Sequence, residues 1–367
     1  MISYGKQAIY QDDIDAVVEA LRSDFLTQGS KVPEFEKGLS VYCGSKYATA
    51  VANGTAALHL AYLAVGVTKG DVVWTVPNTF VSTANAARYC GAEVEFVDID
   101  IKTYNLSIEA LKLKLEQAQK GNQLPKLVVP VHFAGQSCEM QEIWALSQEY
   151  GFYVIEDASH ALGGEYLGKK IGSCEFSHAA VFSFHPVKMI TTGEGGAVMT
   201  NDQVLNDKIQ LLRSHGITKK ANQFKHQTDG DWYYEQQLLG FNYRLTDIQA
   251  ALGISQLRKL DYFVARRREI AQLYLSKLRN VTLPFQHPDA KSSWHLFVIQ
   301  TKDREKVYQQ LKAQGILTQV HYIPVNSQPF YGQPALKNSA DFYQHCLSLP
   351  IYVDLDAKDQ KMVINSL

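Results

Sequence analysis

Apolar and polar positions along the chain alternate between two periods. Ile14, Val17, Val18 and Leu21 recur at helical spacing within residues 12–23, and a second helix is expected over 32–43 with Pro33 in its first turn. Short apolar runs at 47–51, 71–77, 93–97, 126–132 and 152–155 have the length and composition of buried strands. Helical spacing returns between them, over 56–63, 82–89, 108–119 and 140–150. Strands and helices in this order predict an α/β fold whose mostly parallel sheet is covered on both faces. Two short strands are expected between 179 and 200, then helices over 202–212 and 246–257. Thr246 and Gln249 have the spacing of a capping box at the start of the last one.

Beyond residue 257 the pattern changes. A long helix carrying Tyr262, Ile270, Leu273 and Leu278 leads to a strand over 294–299, a helix over 303–314 and a second strand over 317–321. A last strand is expected over 347–352. A chain of 367 residues is too long for one core, so two domains are expected. Residues 1–250 form the large domain with its N-terminal helical segment, and 251–367 form the linking helix and a smaller C-terminal α/β domain.

Composition narrows the function by exclusion. A formal charge of -1 gives no electrostatic reason to bind nucleic acid. The run Arg266-Arg267-Arg268 lies in a helical pattern and is expected to face solvent or a partner subunit. Five cysteines, an odd number without close pairing, point to free thiols in a reducing compartment, and Cys138 reads as structural. The first residues have no signal-peptide core, and no stretch reaches the ~18 apolar residues of a membrane span. A cytoplasmic protein without membrane or metal partners is expected. The absence of a Walker lysine-serine pair and of a Rossmann glycine pattern argues against a nucleotide triphosphatase and a dehydrogenase.

Two residues carry the candidate chemistry. Lys188 sits between the apolar stretch Phe182-Ser183-Phe184 and the turn Gly193-Glu194-Gly195-Gly196, a setting neither a helix nor a solvated face explains. The strand Val154-Ile155-Glu156 delivers Asp157 at its C-terminal end, where α/β folds place ligand-binding groups. Asp157 alone would also suit a magnesium site or a helix cap. Together the two are what pyridoxal 5'-phosphate asks of a protein: an amine to bond its aldehyde and an acid to keep its pyridine nitrogen protonated. Asn53-Gly54-Thr55 turns a strand into a helix whose first N–H groups lack partners, a ready site for the cofactor's phosphate.

The segments Asn53-Gly54-Thr55-Ala56, Glu156-Asp157-Ala158-Ser159-His160, Phe182-Ser183-Phe184-His185 with Lys188, Gly193-Glu194-Gly195-Gly196 and Asn242-Tyr243-Arg244 occur in order along nearly the whole chain. In this the sequence resembles the DegT/DnrJ/EryC1/StrS aminotransferases, which aminate keto groups on nucleotide-linked sugars. The resemblance implies the type I fold of pyridoxal phosphate enzymes and a homodimer with shared active sites. Lys188 and Asp157 would be catalytic. Gly54, Thr55, Ala56 and Ser183 would hold the phosphate, Phe80 would stack on the pyridine ring, His160 would contact the ring or its phenolic oxygen, and Asn242 would reach the neighbour's phosphate. Thr27, Gln28, His215, His321 and Tyr322 would lie near the substrate. L-Glutamate is the donor the resemblance implies, and Leu26-Thr27-Gln28-Gly29 and Gln319-Val320-His321-Tyr322 lean toward a UDP-linked 4-keto-6-deoxy-N-acetyl hexose as acceptor. UDP-4-keto-arabinose, dTDP-linked 3- or 4-keto sugars and a silent regulatory relative are the alternatives.

Overall fold

The computed structural model describes all 367 residues. At its centre is a seven-stranded sheet in the order Tyr47–Val51, Gly196–Thr200, Ala179–Ser183, Tyr153–Asp157, Leu127–Val129, Val72–Thr75, Glu93–Phe96. The last five of these pair parallel, and Gly196–Thr200 runs antiparallel to both its neighbours. This is the mostly parallel sheet expected. Its strands alternate apolar residues between two covered faces. Val73, Ile155, Val181 and Val198 meet the helices Gly54–Ala64, Ser82–Tyr89 and Gln203–Arg213 on one side. Trp74, Val128 and Val154, with Ala180, Phe182 and Met199, pack on the other against helices that include Lys31–Cys43 and Met140–Tyr150. Fully burying one such side chain is worth roughly 1.5–3 kcal/mol, and the covering of both faces fixes strand register.

Local chemistry sets the ends of the strands. His132 and Asp157 close the parallel ladder, with the His132 N–H donating to the Asp157 carbonyl at 3.1 Å and the Asp157 N–H to Pro130 at 2.9 Å. On the far face the Cys138 N–H donates to His132 Nδ1, so Nε2 carries the ring proton and donates to Glu156 at 2.6 Å. Glu156 therefore faces away from Asp157 and ties two strand ends together inside the core. Gly196 lets the edge of the sheet pass close to the turn before Gly54, because a Cβ there would lie 2.6 Å from the Asn53 carbonyl. The capping box of Thr246 and Gln249 forms as expected.

The C-terminal part differs from expectation in four places. Phe297–Gln300 and Cys346–Leu349 pair with each other, antiparallel, and the short strand Ala290–Lys291 pairs with Glu165–Tyr166 of the large part. The segment 317–321 contributes a single bridge, Gln319 to Ser348, and the Leu317 N–H that could extend it donates instead to the Ile2 carbonyl at 2.8 Å. Residues 294–296 stay outside the strand, since Trp294 adopts φ 54 and donates its N–H to Ser292 Oγ. On the linking helix Leu260–Lys277, Tyr262 and Leu273 are exposed, while Phe263, Val264, Ile270 and Tyr274 make its buried face. Ile2, from the far end of the chain, packs into the C-terminal core beside Phe297 and Leu347.

The fourth difference is Arg267, which does not face solvent. It is only 2% exposed, and its Nη1 donates to the carbonyls of Trp294, His295 and Ile351 at 3.3, 3.2 and 2.9 Å. Burial lowers its pKa to about 10, and no carboxylate offsets that cost. Its neighbours on either side do reach the surface, so a run of three arginines on a helix splits by helical phase. Arg267→Ala leaves three carbonyls without a donor. We expect a loss on the order of 3 kcal/mol in chemical denaturation, with Arg267→Lys intermediate because its shorter side chain brings the ammonium less close to the three carbonyls.

Candidate active site

The ends of the central strands open into a cleft of about 670 Å³. Lining residues from the large sheet include Asn53, Gly54, Thr55, Asp157, Ser183 and Lys188, and His295, His321 and Tyr322 enter from the C-terminal part. Asp157 is buried at the tip of its strand. Its Oδ2 accepts from Thr83 Oγ1 at 2.7 Å, and its Oδ1 from the Ser159 N–H at 3.2 Å. Thr83 lies in the first turn of the helix Ser82–Tyr89, with its hydroxyl 2.8 Å from that of Thr79 and its carbonyl accepting from Tyr62 at 3.0 Å. This chain of hydroxyls fixes the carboxylate's orientation.

Lys188 follows the strand Ala179–Ser183 on a turn closed by its own N–H donating to His185 at 2.9 Å. The residue is half-buried and lines the cleft. Burial lowers its pKa to about 8, against an opposing pull from the nearby Asp157 carboxylate. A neutral amine is thus available near neutral pH, as a nucleophile requires.

Asn53 caps the helix Gly54–Ala64, its Oδ1 accepting the Ala56 N–H at 2.8 Å. That bond commits the amide of Ala56, which does not line the cleft and is not a free phosphate donor. The N–H groups of Gly54 and Thr55 have no protein acceptor and open on the cleft beside the hydroxyls of Thr55 and Ser183. Gly54 is required for this approach, because a Cβ would sit 2.9 Å from that of Ser183.

Aromatic rings form the opposite wall. Tyr322 shares a hydrogen bond of 3.0 Å with His160 Nε2, and the His160 ring lies against that of His295 at 4.4 Å between centroids. His160 Nδ1 is buried without a partner. Burial and the charge of Lys188 hold His160 and His321 neutral, His321 at about 3. Phe80 stands 58% exposed at the mouth, its ring 6.4 Å from that of Tyr322.

Four residues singled out from the sequence lie elsewhere. Thr27, Gln28, His215 and Asn242 are exposed and line no part of this chain's cleft, and Asn242 bridges instead to Ser214. Thr83 and His295 went unnoticed. A threonine pair spaced by four at the start of a helix signals a shared face, but only the fold shows what that face meets.

The DegT/DnrJ/EryC1/StrS aminotransferase family pattern matches residues 7–367. Over its whole length, and 96% of the relative's, the chain is 42% identical to the UDP-4-amino-4,6-dideoxy-N-acetyl-beta-L-altrosamine transaminase of Campylobacter jejuni. The structure of Helicobacter pylori PseC, an aminotransferase involved in the biosynthesis of pseudoaminic acid, superposes with a TM-score of 0.90 at 34% identity, covering 100% of this chain and 97% of that one. The pyridoxal phosphate form of the sugar aminotransferase Spr1654 from Streptococcus pneumoniae gives 0.88 at 25% identity, covering 100% and 97%.

The residues present fit pyridoxal phosphate. The Lys188 amine and the Asp157 carboxylate face one cleft, and free amides and hydroxyls gather where Gly54 leaves room. The lowered pKa of Lys188 has a consequence for loading. Only the neutral amine attacks an aldehyde, so covalent attachment of added cofactor to the stripped protein should quicken as pH rises, with a midpoint near 8 rather than near 10.5. Stopped-flow absorbance across pH 6–10 measures this, and Lys188→Ala should abolish the signal.

Proposed function

The chain belongs to the DegT/DnrJ/EryC1/StrS aminotransferase family, and on that premise we propose that it transfers the amino group of L-glutamate to C4 of a UDP-linked 4-keto-6-deoxy-N-acetyl hexose. The products are 2-oxoglutarate and UDP-4-amino-4,6-dideoxy-N-acetyl-beta-L-altrosamine, a step of pseudaminic acid biosynthesis. The observation that carries this reading is full-length similarity to a transaminase of that name around an intact Lys188 and Asp157.

Bound pyridoxal phosphate supplies the electron sink and carries the amino group between substrates. Asp157, fixed by Thr83, holds a proton at the pyridine nitrogen by charge. Lys188 Nζ would take the proton from the donor's α-carbon and hold it for return, a task suited to an amine with a pKa of about 8. In the second half of the cycle the same nitrogen delivers a proton to C4 of the sugar. Gly54, Thr55 and Ser183 anchor the phosphate, and His160 with Tyr322 sets the face of the ring. The cleft is lined from both sides of residue 250, so we place the substrate between the 1–250 and 251–367 units.

A homodimer completes the site in this reading. The exposed Asn242, with Thr27, Gln28 and His215, belongs to the surface offered to the other subunit, where Asn242 serves the partner site's phosphate. Free cysteines and the absence of any helix long and apolar enough to cross a membrane support a cytoplasmic location.

Purified enzyme given glutamate and a panel of UDP- and dTDP-linked keto sugars should aminate the UDP-linked N-acetyl sugar fastest, read by product mass. A faster dTDP or arabinose substrate would replace the assignment. For the shared site, Asn242→Ala and Lys188→Ala, each inactive alone, are mixed under subunit exchange. Mixed dimers then hold one intact site, and activity should recover toward about one quarter of wild type per total site. Exchange confirmed by mass without recovery would put Asn242 outside the partner's site.

A further inference from the structure

Tyr4 lines the cleft and has no task so far. It is half-buried, and its hydroxyl makes no hydrogen bond to the protein. Unlike Nδ1 of His160 and of His295, which are sealed inside the wall, this oxygen keeps accessible surface. A free hydroxyl at the surface of a ligand cleft is a group that a ligand can reach.

The backbone that carries it is fixed from both sides. The Ile2 N–H donates to the Gly315 carbonyl at 2.8 Å, and the Leu317 N–H donates back to Ile2 at 2.8 Å. The Ile351 N–H donates to the carbonyl of Tyr4 itself at 3.0 Å. Ile2 is 4% exposed in the C-terminal core. The Tyr4 ring packs on that of His321 with 5.6 Å between centroids, and His321 is held in turn by its Nδ1, 2.8 Å from Ser348 Oγ. On the other side the chain passes the lysine turn. A Cβ at Gly5 would stand 3.9 Å from that of Val187, the residue before Lys188. Residues 2–5 are thus bonded to the C-terminal unit and carry a phenol to the edge of the lysine turn. A position fixed from several directions is what a binding residue needs.

Charge and place together select the ligand atom. No arginine lines the cleft, and Lys188 is its only lysine. A carboxylate or a diphosphate is held best by fixed cations, above all by the fork of an arginine, and finds none beside Tyr4. A phenol is an uncharged donor and acceptor, the complement of another hydroxyl. Because Tyr4 lies beside the lysine turn, that hydroxyl belongs close to the carbon Lys188 serves. The acceptor proposed above has one free hydroxyl on its ring. C1 bears the nucleotide, C2 the acetamido group, C4 the keto oxygen and C5 the methyl, which leaves C3, next to the reacting carbon.

We propose that Tyr4 is a substrate-binding residue whose hydroxyl hydrogen-bonds the C3 hydroxyl of the nucleotide-linked sugar, with its ring seated on His321. The assignment rests on the function proposed above and adds how the acceptor's ring is oriented at C4. It makes Tyr4 an element of acceptor recognition and leaves the glutamate half of the cycle independent of it.

The test uses cofactor-loaded enzyme and begins with the sugar that the wild type aminates. Another 4-keto sugar would replace the substrate assignment, and the C3 contact is then measured on that sugar. A wild type that takes only 3-keto sugars overturns both, because those sugars have no C3 hydroxyl. Tyr4→Phe keeps the ring on His321 and removes only the oxygen. Calorimetry measures binding of the aminated product and of its 3-deoxy analogue to both enzymes, and rapid mixing measures the glutamate half-reaction. Loss of the hydrogen bond should weaken product binding about fivefold in Tyr4→Phe. Removing the C3 hydroxyl should cost the wild type about fivefold and Tyr4→Phe less than about twofold, since the same bond is lost from either side. The glutamate half-reaction should stay within about twofold of wild type. Unchanged product binding in Tyr4→Phe overturns the proposal. Two losses that simply add also overturn it, because the C3 hydroxyl then meets another group. An equal fall in the glutamate half-reaction would make Tyr4 a contact of the donor or cofactor and overturns it as well. If Tyr4→Phe does not fold, the wild type decides: a 3-deoxy product bound as tightly as the full product overturns the C3 contact, and one bound about fivefold more weakly supports it.

Discussion

The site depends on a half-buried amine and a carboxylate facing the same cleft. Burial pulls the pKa of Lys188 down and the charge of Asp157 pulls it up, and the balance near 8 makes the amine usable around neutral pH. Neither effect is tolerable alone. A buried lysine without the acid would titrate still lower, and a loosely held acid could approach the amine and quench it as an ordinary ion pair. The structure prevents the second outcome by occupying Asp157 from its own side, with Thr83 on one oxygen and the Ser159 amide on the other.

That arrangement explains much of the surrounding fold. A parallel sheet gathers the C-terminal ends of its strands on one edge, where Val131 and Asp157 meet the cleft. The antiparallel strand Gly196–Thr200 lies between Tyr47–Val51 and Ala179–Ser183, so the helix start at Gly54 comes beside Ser183 and the lysine turn. Glycine at 54 and 196 is a condition of that contact. The His132–Glu156 hydrogen bond, on the covered face, holds two strand ends in step from behind.

The C-terminal unit closes the cleft with uncharged groups. Two histidines and a tyrosine of this unit enter it, beside His160 of the large one, and Lys188 is the only cation lining it. Burial and the lysine's charge keep the imidazoles neutral, which leaves them to position oxygens and rings without competing with Lys188 for protons. The guanidinium of Arg267, spent on backbone carbonyls, stands behind this wall rather than in it.

Periodicity alone determined the large unit, because strands buried on both faces and helices between them leave a pattern that few other folds share. Lys188 and Asp157 were legible for a related reason: each interrupts an apolar stretch at a strand end, and the motifs around them run in order through the chain. Asn53 was readable as a turn, but not that its cap consumes the Ala56 amide and leaves Gly54 and Thr55 as donors. Arg267 shows the limit most clearly. Local sequence places it in a basic run, and only the phase of the helix against the 294–296 segment turns it inward. Thr83 and His295 acquire meaning from partners 74 and 135 positions away in sequence, Asp157 and His160. Such contacts leave no periodic trace, because they depend on where separate elements cross, and packing alone decides that.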